Sequence, residues 1–250
     1  MDLSEFYPTP VDLTKSELAV LDFLRGNRYI KDKHPQVATD AGNYYLRNKS
    51  SRTGFEFHTH FDVCHASLAT SADRKKQTPN ARLAVSARIE VRGKALTNVS
   101  YCLSVCRMRT ARRSVQITIM RKFHFDVVVD DGTTQRRLQQ HPQCHLQYGG
   151  DMVPYMVTIG CRPTQLLQMH PWLSEPRIFF WPMSLALLID MALHEFPDQE
   201  SAKFRADSYW RGRVREQEAL VLKPFYEKCV EVIRNTAGRN QTLADAFYLG

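Results

Sequence analysis

Hydrophobic positions change period twice along the chain, and the changes divide it into helical, strand and helical parts. Near the N-terminus, Leu18, Leu21 and Leu24 or Phe23 recur at helical spacing. Thr14-Lys15-Ser16-Glu17 ahead of them fits the pattern in which a hydroxyl and a carboxylate close the first backbone N–H groups of a helix, and Gly26 is a natural stop. Residues 31–53 are polar and read as loop. Then Phe55, Phe57, Thr59 and Phe61 alternate with Glu56, His58, His60 and Asp62, which is the period of a strand.

Three longer runs repeat that alternation. Leu83, Val85, Ala87, Ile89 and Val91 form the first, and Val99, Tyr101, Leu103 and Val105 the second. The third runs from Val115, Ile117 and Ile119 through Phe123, Phe125, Val127 and Val129 to the turn signal Asp130-Asp131-Gly132. Short connections, one at 93–98 and a basic one at 107–113, predict an antiparallel meander that the Phe55 strand joins. From Thr134 to about Arg177 the chain is rich in Pro, Gly and Gln, with a short strand such as Tyr155 to Ile159 as the most that the pattern suggests. Pro182 suits the first turn of a helix carrying Leu185, Leu188, Ile189, Ala192 and Leu193, which Phe196-Pro197 ends. Ser201 to Asn235 reads as one long amphipathic helix, or two broken at Pro224, with Phe225, Tyr226, Val230 and Ile233 as the buried stripe.

Helices before and after a meander predict an α+β fold: an antiparallel β-meander sheet packed by an N-terminal helix and C-terminal helices. No linker or repeat divides the 250 residues, so a single domain is expected over 1–250. Its parts are an N-terminal helical segment (1–54), the meander (55–130), an irregular region (131–181) and the C-terminal helices (182–250). With 43% hydrophobic and 24% charged residues the composition is that of a globular protein and excludes a coiled coil or a disordered tail. No apolar run reaches the roughly 20 residues of a membrane span, and the N-terminus lacks the regions of a signal peptide. The expectation is a cytoplasmic protein with no membrane partner, whose six cysteines are reduced.

Charge changes the picture more than composition does. Between residues 72 and 122 there are thirteen Lys and Arg against two Asp and Glu, while the whole chain is only +8, so everything outside that segment is net acidic. Arg74, Lys75, Lys76, Arg88, Arg92, Arg107, Arg109, Arg112, Arg113, Arg121 and Lys122 are the candidate nucleic-acid-binding residues of this segment, and arginine is the better bidentate partner for phosphate. Nucleic acid is the partner such a surface fits; an acidic protein partner, for which the chain would be a scaffold subunit, fits the same charge.

Ligand-capable side chains gather in three places. His58, His60 and Asp62 share one face of their strand, and His124 and Asp126 share one face of theirs beside Lys122. If the two strands were neighbours these groups would converge as metal ligands or acid–base groups. His141 and His145 flank Pro142-Gln143-Cys144, where Pro142 and Gly149-Gly150 predict an irregular loop. His58, His60, Asp62, His124, Asp126, His141 and His145 are therefore the candidate catalytic residues of a second reading, a metal-dependent nuclease or phosphodiesterase, which would need a divalent metal. Ordinary sheet-face polarity is the alternative. Cys102 and Cys106 read as small packing residues, and Trp172, Trp181 and Trp210 as core or interface anchors. Gly-rich phosphate loops, a dinucleotide fingerprint, paired Cys-x-x-Cys, Gly-x-Ser-x-Gly and His-Glu-x-x-His are all absent from the sequence.

The stretch Arg121-Lys122-Phe123-His124-Phe125-Asp126, then His141-Pro142-Gln143-Cys144-His145-Leu146 and Gly149, then Pro176-Arg177-Ile178 and the helix from Pro182 to Phe196 resembles an uncharacterised bacterial family. That family has a basic/aromatic-Asp strand, a His-Pro-x-x-His-Leu-x-x-Gly loop and an Arg-Ile-Pro turn before a helix. The resemblance covers about a third of the chain. Phe179-Phe180-Trp181 follow Ile178, which displaces the turn's proline to Pro182, and the insertion between Gly150 and Pro176 is long. Such families resemble proteins of mobile-element, toxin–antitoxin or antiphage loci. The resemblance implies that Asp126, His141 and His145 act as one site, and it carries no activity with it.

Overall fold

The computed structural model describes residues 6–26, 53–63, 80–92, 95–111, 114–128, 144–148, 177–195 and 199–236. It is an α+β fold. Helix α1 (Pro10–Gly26) is followed by β1 (Thr53–Val63), β2 (Ala81–Arg92), β3 (Ala95–Ala111), β4 (Ser114–Val128), β5 (Cys144–Tyr148) and β6 (Arg177–Phe179), and then by helices. The six strands lie in chain order in one sheet, and every neighbouring pair is antiparallel. The meander expected from the alternating runs is thus observed and is longer than expected at its C-terminal edge. Residues 144–148 and 177–179, inside the region read as irregular, add two short strands. Tyr155 to Ile159 lie outside the described residues.

Helices α2 (Leu185–Glu195), α3 (Gln199–Ala206), α4 (Ser208–Gln217) and α5 (Lys223–Thr236) complete the chain, with a π-helical turn at Glu218–Leu222 between the last two. Pro224 does not break this run as expected. It sits in the first turn of α5, and having no N–H for the carbonyl a turn earlier, it is accommodated by the widened turn just before it. The break falls instead at Asp207, whose carboxylate accepts the N–H groups of Tyr209 (2.8 Å) and Trp210 (3.1 Å) and so starts α4.

One face of the sheet, carrying Leu83, Val85, Ala87, Ile89, Val99, Tyr101, Leu103, Val105, Phe125 and Val127, packs in one core with Leu13, Leu21 and Leu24 of α1 and Leu188, Ile189 and Leu193 of α2. Asp190 ties the helical layer together: it accepts from the Arg205 guanidinium at 3.1 and 3.2 Å and from the Trp210 indole at 2.9 Å. Trp210 is fully buried, as an anchor residue should be, with the rings of Phe204 and Phe23 at 4.6 and 5.6 Å.

The start of α1 differs from the expectation. Thr9 is the capping residue: its hydroxyl accepts the Asp12 N–H (3.2 Å) and donates to the Asp12 carboxylate (2.6 Å), and Pro10 takes the first helical position. The same four-residue pattern recurs at 14–17, but there it lies inside the helix, with the Thr14 hydroxyl donating back to Pro10 O. Thr9→Ala should lower stability by about 1 kcal/mol, read as a shifted urea midpoint at unchanged slope.

Two bulges alter which side chains face the helices. Glu90 pairs with Asn98 but Val91 with Leu96, so β3 holds one extra residue there. Val105 pairs with Arg121 but Cys106 with Ile119, so β4 holds an extra residue at Met120. The apolar run from Val115 to Val127 is therefore not one face. Phe125 and Val127 join the helix-covered core, while Ile117 and Ile119, both buried, share the opposite face with Cys106.

Candidate nucleic-acid interface and the polar face of the sheet

The face away from the helical core is polar at its centre. Pairing aligns His58, Ser86, Cys102, His124 and Gln147 in one row across β1 to β5. A second row holds His60, Ala84, Ser104 and Lys122. A third runs from Arg88 and Ser100 to Asp126 and His145. The condition for convergence, that the strands of His58 and His124 be neighbours, is not met, because β2 and β3 lie between them. Three strand spacings of about 4.8 Å separate those strands by roughly 14 Å, beyond the span of one mononuclear metal site. His58, His60 and Asp62 thus stand on one strand and His124 and Asp126 on another.

The Asp62 carboxylate is already engaged by Arg82 in a two-pronged pair at 2.7 and 3.0 Å. Asp126 stands directly opposite His145 in the backbone register, on the strand that replaces the expected loop. His141 lies outside the described residues. Among the described residues, no group of three His, Cys, Asp or Glu side chains is placed to hold a metal ion.

Around Lys122 the polar face is withdrawn from water. Lys122 is fully buried, and Ser86, Cys102, Ser104 and His124 are buried with it. Burial pushes the Cys102 thiol up to about 11; the Lys122 charge and hydrogen bonds with Ser104 and Ser86 pull it down, and Asp126 adds to the rise. A thiol in that state is protonated at neutral pH and is no nucleophile. Burial likewise raises Cys144 and Cys229. All four described cysteines are buried thiols, so they serve as packing groups.

The basic residues divide between the two faces. Arg82 is paired with Asp62, Arg88 with Glu90 at 2.7 Å, and Lys122 is buried, all on the polar face. Arg92 closes β2 opposite Ala95. Arg107, Arg109 and Arg121 belong to the other alternation, that of Val99, Tyr101, Leu103 and Val105, Arg121 at the middle of β4 and the other two in the last third of β3. Arg121 stands opposite Val105, Arg107 opposite Thr118 and Arg109 opposite Gln116. Arg109 and Arg121 are exposed and Arg107 is half-buried, and none of the three is ion-paired with a described carboxylate.

Arg107 and Arg109 were expected in a turn, yet β3 continues through both to Ala111. Met108 and Thr110, alternating with them, were the overlooked sign of strand. The consequence is positional: a pleated strand puts both residues on one side, with their Cα atoms about 7 Å apart along the chain. Arg112 and Arg113, which connect the two strands, and Arg74, Lys75 and Lys76 lie outside the described residues.

Comparison with family models, with curated proteins and with solved structures finds no match for this chain.

Proposed function

We propose that this chain is a nucleic-acid-binding protein and that the outer end of the β3–β4 hairpin is its contact surface. The observation that carries the reading is the placement of Arg107, Arg109 and Arg121 on one side of the β3–β4 hairpin, Arg121 level with Val105 and the other two beyond it, where the apolar series of the helix-covered face ends. Arginine forks accept no proton loss at neutral pH and fit phosphate oxygens bidentately. A hairpin that presents three of them on one side engages a backbone of regularly spaced phosphates through charge rather than base identity. Gln116 and Thr118, opposite Arg109 and Arg107, add neutral hydrogen-bonding groups on the same side. A role as one component of a bacterial defence or mobile-element system is supported by the resemblance of the Arg121–Asp126 strand and its following motifs.

Fluorescence titration of a duplex DNA and a single-stranded RNA at several salt concentrations tests the reading. Binding should weaken linearly on a log–log plot, and Arg107→Ala/Arg109→Ala/Arg121→Ala should reduce the slope by about three contacts on every sequence. A salt-insensitive or absent response from the unaltered protein defeats it. If nucleic acid fails but an acidic polypeptide binds in a salt-dependent way, the scaffold reading takes its place.

The second reading, a divalent-metal-dependent nuclease, rests on Asp126 standing opposite His145. Metal content of the purified protein and cleavage of labelled DNA or RNA with added magnesium or manganese decide it. Loss of cleavage in Asp126→Asn is the expected result, and absence of both bound metal and cleavage rejects it.

A further inference from the structure

Helix α5 was expected to bury Tyr226, Val230 and Ile233 together with Phe225, but only Phe225 enters the core. Tyr226 is 51% exposed, Val230 45% and Ile233 55%. Their spacing of four and then three residues is that of a coiled-coil seam, and the stripe flanks a shallow groove edged by Glu227, Glu231, Arg234 and Asn235. We infer that this stripe is a self-association surface, on which a second copy of the same helix packs antiparallel about a twofold axis.

Charge is what selects this occupant. Glu227 and Arg234 are seven residues apart, so they hold the same position of the repeat and edge the seam on the same side. In an antiparallel pair, Val230 lies near the axis and Tyr226 meets Ile233 of the second copy. Glu227 then lies opposite Arg234 of that copy, and the twofold axis repeats the attraction. In a parallel pair each of these positions would instead face Leu222 or Cys229 on the other edge of the partner's seam, so neither charge would meet an opposite one. The other edge of the seam is closed by Cys229, which is buried in the parent molecule. Within its own helix Glu227 has only the long contact to Lys223 at 3.9 Å, between two exposed side chains, which a partner's arginine readily replaces.

A helix of 14 residues is about 21 Å long, and so narrow a contact buries less than the roughly 800 Å² per partner of a standard stable interface. The association is accordingly weak and is sought at high protein concentration, about 10–300 µM for complexes of this size. Sedimentation equilibrium over that range should show a reversible monomer–dimer system that weakens with salt. Glu227→Arg and Arg234→Glu should each raise the dimer dissociation constant about tenfold or more, because two attractions become two repulsions. The double exchange, E227R with R234E, should restore dimerisation, while Val230→Glu abolishes it. These side chains are exposed, so circular dichroism and the melting temperature should stay at the values of the unaltered protein. A monomer at every concentration overturns the inference, whether the stripe is then covered by residues 237–250 or by a protein of another sequence. A dimer indifferent to V230E, or a double exchange no better than its single components, overturns it equally.

Discussion

Raising the pH from about 4.5 to about 8 should cost this protein roughly 3 kcal/mol of folding stability through a single side chain, Glu17. Glu17 projects from α1 into the core, where it is fully buried. One carboxylate oxygen accepts the Tyr101 hydroxyl at 2.6 Å and the Leu185 N–H at 3.2 Å, and the other has no hydrogen-bond partner. Burial raises its pKa to about 7, against the smaller opposing pull of those two hydrogen bonds. Two tyrosines face it, Tyr101 from β3 and Tyr7 ahead of α1. Both are held neutral, by burial first and the nearby carboxylate as a lesser cause, with Cys144 also acting on Tyr7. No cation faces Glu17 among these partners; the first N–H of α2, from Leu185, supplies a local positive end.

The direction follows from proton binding. Between about 4.5 and 7 the folded protein keeps a proton on Glu17 that the unfolded chain has released. The stabilisation of the neutral form is therefore complete below about 4.5 and is lost as pH rises through about 7, after which the curve flattens. Urea unfolding at pH 5, 6, 7 and 8 should show this fall, and Glu17→Gln should remove it while leaving stability near the low-pH value of the unaltered chain. An unchanged slope in the glutamine variant would mean that another group titrates.

Trp210→Ala should be the most damaging substitution in the helical layer, lowering stability by about 3–5 kcal/mol and the melting temperature by about 10 °C for a domain of this size. The indole is fully buried between Phe204 and Phe23, and its N–H is one of three donors to Asp190. Truncation leaves a cavity where α1, α3 and α4 meet and leaves Asp190 to Arg205 alone. Trp210→Phe separates the two effects: it keeps most of the volume and loses only the hydrogen bond, at about 1–3 kcal/mol. Equal losses in both variants would show that packing contributes little.

Strand periodicity was the clearest part of the sequence because sheet faces demand strict alternation, and β1 to β4 follow it over most of their length. The bulge at Met120 was hidden for the same reason. Ile117 and Phe125 look like members of one series, and only Arg121, interrupting it at an apolar position, marks the change of face. Strands β5 and β6 are three to five residues long, too short for a period to show. The helix start at Thr9 was missed because a second, equally good capping pattern lies five residues on. Local chemistry could not reveal that Glu17 answers to Tyr101 and Leu185, 84 and 168 residues away in sequence. For the candidate residues, sequence reading paired the right faces but not the right neighbours. His58 and His124 share a row yet two strands lie between theirs, whereas Asp126 and His145 pair across adjacent strands.

The extra residue at Met120 lets one hairpin serve two masters. Its inner half, from Asn98 to Val105 and Lys122 to Val128, is committed to the helical layer and tolerates little change. Its outer half, beyond the phase slip, carries Arg107 and Arg109 where that layer's apolar series has ended. Variation beyond the slip can accordingly change the charge that this end of the hairpin presents without disturbing the body that holds it.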